Sequence, residues 1–524
     1  MSHRLTRREF VTVAGGAALA AGGLSEAARH ARGAEALAGL DEFCRKAIAE
    51  WQVPGLALAV IGDGKLQLAR GYGVRELGKG APVTEDTVFS IASCTKSFTA
   101  AMLARLVDTG QLGWDDPLRK HLPEIILPTT APGLEPSIRH ALQHRTGLPT
   151  ANMLWRSGEF GADEILRRVR WLTPMAAPGA RMVYNNVMYL AAGKAAEHAC
   201  GMPWGDFLRA EFFAPLGMTS TVTDSTQLAT FDNLAAPHAP IEGKVQPITR
   251  YCPDVLGPAG TIHSTAVDMA RWLILHLDRG RLGGRELLSA ARVDEMHAPV
   301  EPTQAELSSK GGPKAPISRY GLGWFVNEHA AETVVEHSGT QTGFVSWMAL
   351  MPKKRLGVVI LSNHHQTGLN YALRSWIFDR LLRRPEYDWI SAIRADQSQG
   401  WRRLLREARA EFDARRPADL PPSRPLAEYA GDYESRLYGT IHVIAGEGQL
   451  KLKFGTHFHG DLKPWHGETF RAFFPNPRLD DWQVAFAISD GRVASLKVQE
   501  APWAPQWYDD RDDLGEFVRK QERP

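Results

Sequence analysis

SIASCTKSFTA, residues Ser90–Ala100, is the stretch on which the reading of this chain turns. Six of its eleven side chains carry a hydroxyl or thiol (Ser90, Ser93, Cys94, Thr95, Ser97 and Thr99), and one lysine, Lys96, sits among them. On a helix, residues three apart share a face. Ser93 and Lys96 have that spacing, and none of the other five groups has a lysine three or four positions ahead. A lysine amine kept uncharged by burial can take the proton of a serine hydroxyl within its reach. Ser93 is therefore the candidate nucleophile and Lys96 its candidate base. A helix N-terminus here would also offer backbone N–H groups to an oxyanion. Alone, the pattern is weak: about one S-x-x-K is expected by chance in such a chain, and then it marks a solvated helix face.

Two later patterns change its weight. Tyr184-Asn185-Asn186 precedes VMYLAAGKAAEHACG, which reads as a helix. A tyrosine and an asparagine two apart on a turn can point into one cleft, or the asparagine can simply cap the helix. His337-Ser338-Gly339-Thr340 opens HSGTQTGF, where a small residue and a glycine let a substrate approach a strand edge, or simply form a hairpin turn.

The order S-x-x-K, Y-x-N, H-x-G resembles the penicillin-recognising serine hydrolases: serine β-lactamases, penicillin-binding carboxypeptidases, D-aminopeptidases and related esterases. LQHRTGL (Leu142–Leu148) and GPAGTIHSTAVDMARW (Gly257–Trp272) are similar to further phrases of that family, so the resemblance covers about Leu40 to Leu382. It implies a role for each residue. Ser93 would be acylated. Lys96 would be the general base, alone or shared with Tyr184, which would also protonate the leaving group and later activate water. Asn186 would bond Lys96 and the acyl side of the substrate. His337, Ser338, Gly339 and Thr340 would form the opposite, substrate-binding wall. The backbone N–H groups of Ser93 and Thr340 would form the oxyanion hole. Neither a metal nor a cofactor is implied. His337 stands where β-lactamases carry a lysine; a neutral imidazole fixes a substrate carboxylate less firmly, which looks more like the D-specific peptidases.

The wider chain fits two or three domains in its 524 residues. TRREFVTVAGGAALAAGGL, with Arg7-Arg8 ahead of an apolar run, resembles a Tat signal peptide over residues 1–34, cleaved between Ala27 and Ala36. Export to the periplasm or medium follows from that reading. Leu40–Trp51 reads as an amphipathic helix, and PGLALAVIGDGKLQLARGYG as a hairpin turning at Asp63-Gly64. Helical patterning runs from Thr87 to about Met296; YGLGWFV, GFVSWMALMP and RLGVVILSN then read as successive strands. The expected fold is α+β: an antiparallel sheet built from both chain ends, flanked by helices and carrying a helical insertion, over 35–388. A helical and Pro-rich linker follows at 389–424. Short alternating runs over 425–524 predict a separate all-β barrel, with Trp465 and Phe470 in its core. This part is similar to the lipocalin-like domains appended to some family members, whose loops can reach the active-site mouth.

Composition narrows the function. The formal net charge is +2, and the first 34 residues hold five arginines against two glutamates, so no basic domain remains to argue for nucleic acid. No stretch of 18 apolar residues predicts a transmembrane helix. The four cysteines form no CxxC pair, which excludes a zinc ribbon or thioredoxin motif. His457, His459, His466 and the pair His364-His365 lack an accompanying carboxylate cluster and read as ordinary surface residues, not metal ligands. The expected activity is hydrolysis of amide or peptide bonds in small peptides with D- or non-standard residues, such as cell-wall fragments or linearised non-ribosomal peptides. A carboxylesterase, or a weak β-lactamase or penicillin-binding protein, is the alternative. An intact motif set argues against a binding module without turnover. Nothing in the sequence sets an oligomeric state.

Overall fold

The computed structural model describes residues 35–301, 319–365, 367–399, 401–417, 420–446, 448–475, 479–503 and 512–520. The signal-peptide reading of residues 1–34 lies outside the described residues. Helix α1, Leu40–Trp51, leads into strands β1 (Gly55–Gly62) and β2 (Lys65–Gly73). Asp63 and Gly64 turn between them at φ 51° and 72°, the left-handed pair that a two-residue hairpin needs.

Five strands between residues 319 and 362 complete the sheet: β3 (Arg319–Tyr320), β4 (Phe325–His329), β5 (Glu332–Gln341), β6 (Phe344–Met351) and β7 (Leu356–Ser362). Their order is β2-β1-β7-β6-β5-β4-β3, antiparallel throughout, with Leu56 opposite Ser362 where the two chain ends meet. YGLGWFV is not one strand. Gly323 turns at φ 80°, and a β-carbon there would meet the Lys96 carbonyl oxygen at 2.8 Å, so the run breaks to let helix α2 (Thr95–Asp108) approach.

The sheet is covered on both faces. Leu56, Leu58 and Val60 of β1 point into one core with Leu373 and Ile377 of helix α5 (Leu369–Leu381). The alternate residues Ala57, Ala59 and Ile61 point into the other. That second core holds α2, α3 (Asn186–Cys200) and α4 (Ala266–Leu277). Phe98 of α2 stacks on Trp272 of α4 with centroids 4.0 Å apart, and the Trp272 indole donates to Ser97 Oγ at 3.0 Å.

Helices α6 (Trp389–Gln399) and α7 (Trp401–Ala414) lead to a closed antiparallel barrel of eight strands among the described residues, from Gly431 to Arg519. Phe454, Phe458, Phe470, Trp482 and Phe517 are buried in its core. Trp465 departs from the expected core position: its ring stacks on Phe412 of α7, 6.0 Å away, outside the barrel. The barrel meets the sheet-and-helix domain closely. A β-carbon on Gly455 would lie 2.2 Å from the Ser157 carbonyl oxygen, and one on Gly158 would lie 2.3 Å from Thr456 Oγ1. Beside them His457 packs edge-on against Tyr251, with centroids 5.1 Å apart.

Candidate active site

Ser93 lies in a single 3₁₀ turn, Ala92–Cys94, at the mouth of α2, and Lys96 is in the first turn of the helix itself. The other polar groups of the stretch are taken up by the fold. Ser90 bonds Gln341, Thr95 Oγ1 accepts the Ile262 N–H at 3.1 Å, and Ser97 donates to the Cys94 carbonyl at 2.9 Å. Thr99 donates to the Pro258 carbonyl at 2.6 Å. Cys94 is buried, and burial pushes its thiol up to about 12. Ser93, half-buried, is left at the surface of a cleft.

Lys96 has 0 % exposure, and its amine touches three oxygens: Asn186 Oδ1 at 2.8 Å, the Ala259 carbonyl at 2.7 Å and Ser93 Oγ at 3.1 Å. Burial pulls its pKa down to about 7. A neutral amine has two N–H groups and one lone pair. The two carbonyl-type oxygens accept the two N–H groups, so the lone pair is left facing the Ser93 hydroxyl. The arrangement can remove the serine proton near neutral pH.

Asparagines 185 and 186 divide two tasks. Asn185 caps α3, its side chain accepting the Met188 N–H, while Asn186 turns into the cleft. Tyr184, just ahead, places its ring 4.9 Å from the Lys96 amine and 4.1 Å from the ring of His144. His144, from LQHRTGL, accepts the Asn185 N–H at Nδ1, 3.0 Å away, and burial keeps it neutral. The Ala259 carbonyl comes from GPAG, which presses on Gly193 of α3: a β-carbon there would lie 2.2 Å from Pro258 Cγ.

His337, Ser338, Gly339 and Thr340 follow one another on β5. Gly339 passes over the turn that carries Ser93, where a β-carbon would lie 2.1 Å from the Ile91 carbonyl oxygen and 2.4 Å from Ser346 Oγ. Thr340 lines the cleft, as do Gln341 and Thr342. His337 does not. It is 1 % exposed, its Nδ1–H donating to the Ser338 carbonyl at 2.7 Å and its Nε2 accepting from Tyr320 at 2.9 Å. Burial, with Lys96 nearby, lowers its pKa to about 3, so it is a neutral packing group behind the wall.

Sequence reasoning missed several residues of this cleft of about 340 Å³, among them Asn152, Arg156, Asp480 and Glu500. The last two come from the barrel half of the chain. Arg156 pairs with Glu500 at 2.8 Å, and Asn152 Oδ1 accepts from Asn186 Nδ2 at 3.3 Å. No motif spacing marks them; only the nearness of Asn152 to LQHRTGL hinted at it.

Residues 40–378 match the family Beta-lactamase, and residues 415–514 match DUF3471, a domain of unknown function. The chain belongs to the Beta-lactamase family. Among its relatives, Unguisins hydrolase ungD' of Aspergillus campestris is 27% identical over 438 residues, which is 78% of this chain and 77% of the relative. Penicillin-binding protein 4 of Amycolatopsis lactamdurans is 29% identical over 322 residues, 60% of this chain and 82% of that protein. The octameric penicillin-binding protein homologue from Pyrococcus abyssi shares the fold at a TM-score of 0.58 and 21% identity, over 92% of this chain and all of that one. This Beta-lactamase family member is a serine hydrolase, with a barrel added to the family scaffold. Among its described residues no helix is long and apolar enough to cross a membrane.

Proposed function

We propose that the protein is an exported hydrolase that cleaves amide or peptide bonds of small peptides, with D- or non-standard residues, through an acyl-enzyme on Ser93. The observation that carries this reading is the Lys96 amine, desolvated and 3.1 Å from Ser93 Oγ, with both other contacts to carbonyl-type oxygens. Lys96 takes the hydroxyl proton as Ser93 Oγ attacks the carbonyl carbon. The N–H groups of Ser93 and Thr340 stabilise the tetrahedral oxyanion. Tyr184, over the same amine, passes a proton to the leaving nitrogen; the C–N bond breaks and an ester remains on Ser93. Water then attacks that ester, and the proton returns along the same groups. Asn186 holds Lys96 throughout. Export rests on the twin-arginine segment.

The buried, neutral His337 supports substrates that do not need a cation on the β5 wall to hold a carboxylate. A carboxylesterase shares the nucleophile and oxyanion site, so substrates must separate the two. The test is labelling of Ser93 by a fluorophosphonate, followed by a panel of D-aminoacyl amides, D-Ala-D-Ala peptides, p-nitrophenyl esters and nitrocefin. Amide turnover that vanishes in Ser93→Ala is the expected result. Equal labelling of wild type and Ser93→Ala would overturn the mechanism; a dominant nitrocefin rate would overturn the substrate class.

A further inference from the structure

The amide that holds the catalytic lysine is itself held, and the chain of contacts leads out of the catalytic domain. Asn186 Oδ1 faces Lys96 because its other end, Nδ2, donates to Asn152 Oδ1 at 3.3 Å. The same Asn152 oxygen accepts the Trp155 indole N–H at 3.1 Å, which fixes the carboxamide of Asn152 with its oxygen inward. Asn152 stands at the head of the short helix Met153–Arg156. The first N–H of that helix, from Met153, donates to the carboxylate of Asp512, and Thr150 Oγ1 donates to the other oxygen of the same carboxylate at 2.8 Å. Asp512 lies next to the last barrel strand and is 5 % exposed. At the far end of the helix Arg156 pairs with Glu500, also from the barrel, and the Ser157 carbonyl accepts the Thr456 N–H at 2.8 Å.

The turn does not hold its own shape. Ala151, between Thr150 and Asn152, sits at φ 51°, a conformation that residues with a β-carbon avoid unless their surroundings impose it. Asp512 bonds Thr150, just before this position, and Met153, two residues after it, so the barrel supplies the constraint. The consequence reaches the lysine. If the Asn152 oxygen moved away, Asn186 could rotate and present its NH₂ to the Lys96 amine. An N–H of the neutral amine would then lose its acceptor, and its lone pair would turn towards Asn186 instead of Ser93.

We propose that Asn152 and Asp512 are positioning residues for the Ser93–Lys96 pair, and that the barrel thereby aligns the catalytic base. The proposal rests on Lys96 acting as that base. It is tested on the full chain by the rate of Ser93 labelling with a fluorophosphonate, resolved into probe affinity and maximal rate, as a function of pH. Asn152→Ala is expected to lower the maximal rate between about tenfold and a hundredfold with little change in affinity. Asn152→Asp keeps an oxygen towards Asn186; it is expected to recover most of the rate, with the acidic limb moved to higher pH, since a carboxylate favours the lysine ammonium. Asp512→Asn should reproduce the Asn152→Ala loss, and the double variant should lose no more than either alone. Should Asp512→Asn fail to fold, Thr150→Val removes the other contact to the same carboxylate and takes its place.

Unchanged labelling in Asn152→Ala, or losses that multiply in the double variant, would overturn the proposal. Lys96→Ala run in parallel separates the two readings. Wild-type labelling there would remove Lys96 as base; loss there with normal rates in the Asn152 and Asp512 variants would remove only the positioning role.

Discussion

Gly339 crosses Ile91 so closely that the strand and the turn carrying Ser93 share one van der Waals surface: a β-carbon on Gly339 would lie 2.1 Å from the Ile91 carbonyl oxygen. That oxygen cannot swing aside, because it also accepts the Ser346 hydroxyl at 2.6 Å. The spacing between Ser93 and the Thr340 N–H is therefore set by a missing side chain. Gly339→Ala is expected to fold but to push β5 off the turn, lowering the acylation rate by about a hundredfold or more, the loss seen when one oxyanion donor is displaced. Burst-phase or probe-labelling kinetics will measure it, and a rate within threefold of wild type would show that Thr340 is not a donor.

Lys96 supplies a second prediction, with opposite effects on activity and stability. Burial lowers its pKa from 10.5 to about 7. The folded state thus disfavours the charged form: the penalty is complete below pH 7, shrinks as pH rises, and is gone above 10.5. Lys96→Met removes it. The variant should be inactive yet more stable than wild type at pH 6, by on the order of 4 kcal/mol, as read by urea unfolding. The advantage should fade towards pH 10. In the wild-type enzyme, activity should rise with pH through an acidic limb near 7 as Lys96 loses its proton. His337, held near 3, contributes nothing to that limb.

Asp512 runs the other way. Burial, reinforced by the charge of Glu500, raises its pKa from 3.8 to about 6. A raised carboxyl stabilises the fold fully below pH 4 and loses that contribution as pH climbs through 6. The loss amounts to about 3 kcal/mol between those limits. Asp512→Asn should flatten this part of the stability–pH curve, and unfolding at pH 4, 5, 6 and 7 will show whether it does.

Tyr320 gives a control. Its hydroxyl donates to His337 Nε2 at 2.9 Å in a buried site. Tyr320→Phe leaves that nitrogen without its donor and should cost about 1–2 kcal/mol of stability. Labelling of Ser93 should stay within a fewfold of wild type, because His337 packs behind the cleft wall. A large rate loss at unchanged stability would place His337 in the chemistry after all.

Local geometry explains what could be read from the sequence. The Asp63-Gly64 turn, the helix at Leu40–Trp51 and the three-residue step from Ser93 to Lys96 are short-range features fixed by backbone sterics and helix pitch. The strands GFVSWMALM and RLGVVILS were legible because each is apolar enough for a sheet buried on both faces. What stayed hidden depends on partners distant in the chain. The burial of His337 needs Tyr320 on the edge strand, and the break in YGLGWFV needs α2 beneath Gly323. Asn152 looks like any polar loop residue until Asp512, 360 positions later, is placed against its turn. Trp465 alternates like a core residue, yet the helix that covers it lies outside the barrel.

The facing glycines at the domain boundary, Gly158 and Gly455, bear on how such a protein can be recombined. Each makes room for backbone or side-chain atoms of the other domain at less than the width of a methyl group. A barrel grafted from another chain without its own Gly455, or set on a catalytic domain with a side chain at position 158, would be wedged away from Thr150 and Met153. The two halves are therefore a fitted pair, and a chimera has to carry both sides of the seam.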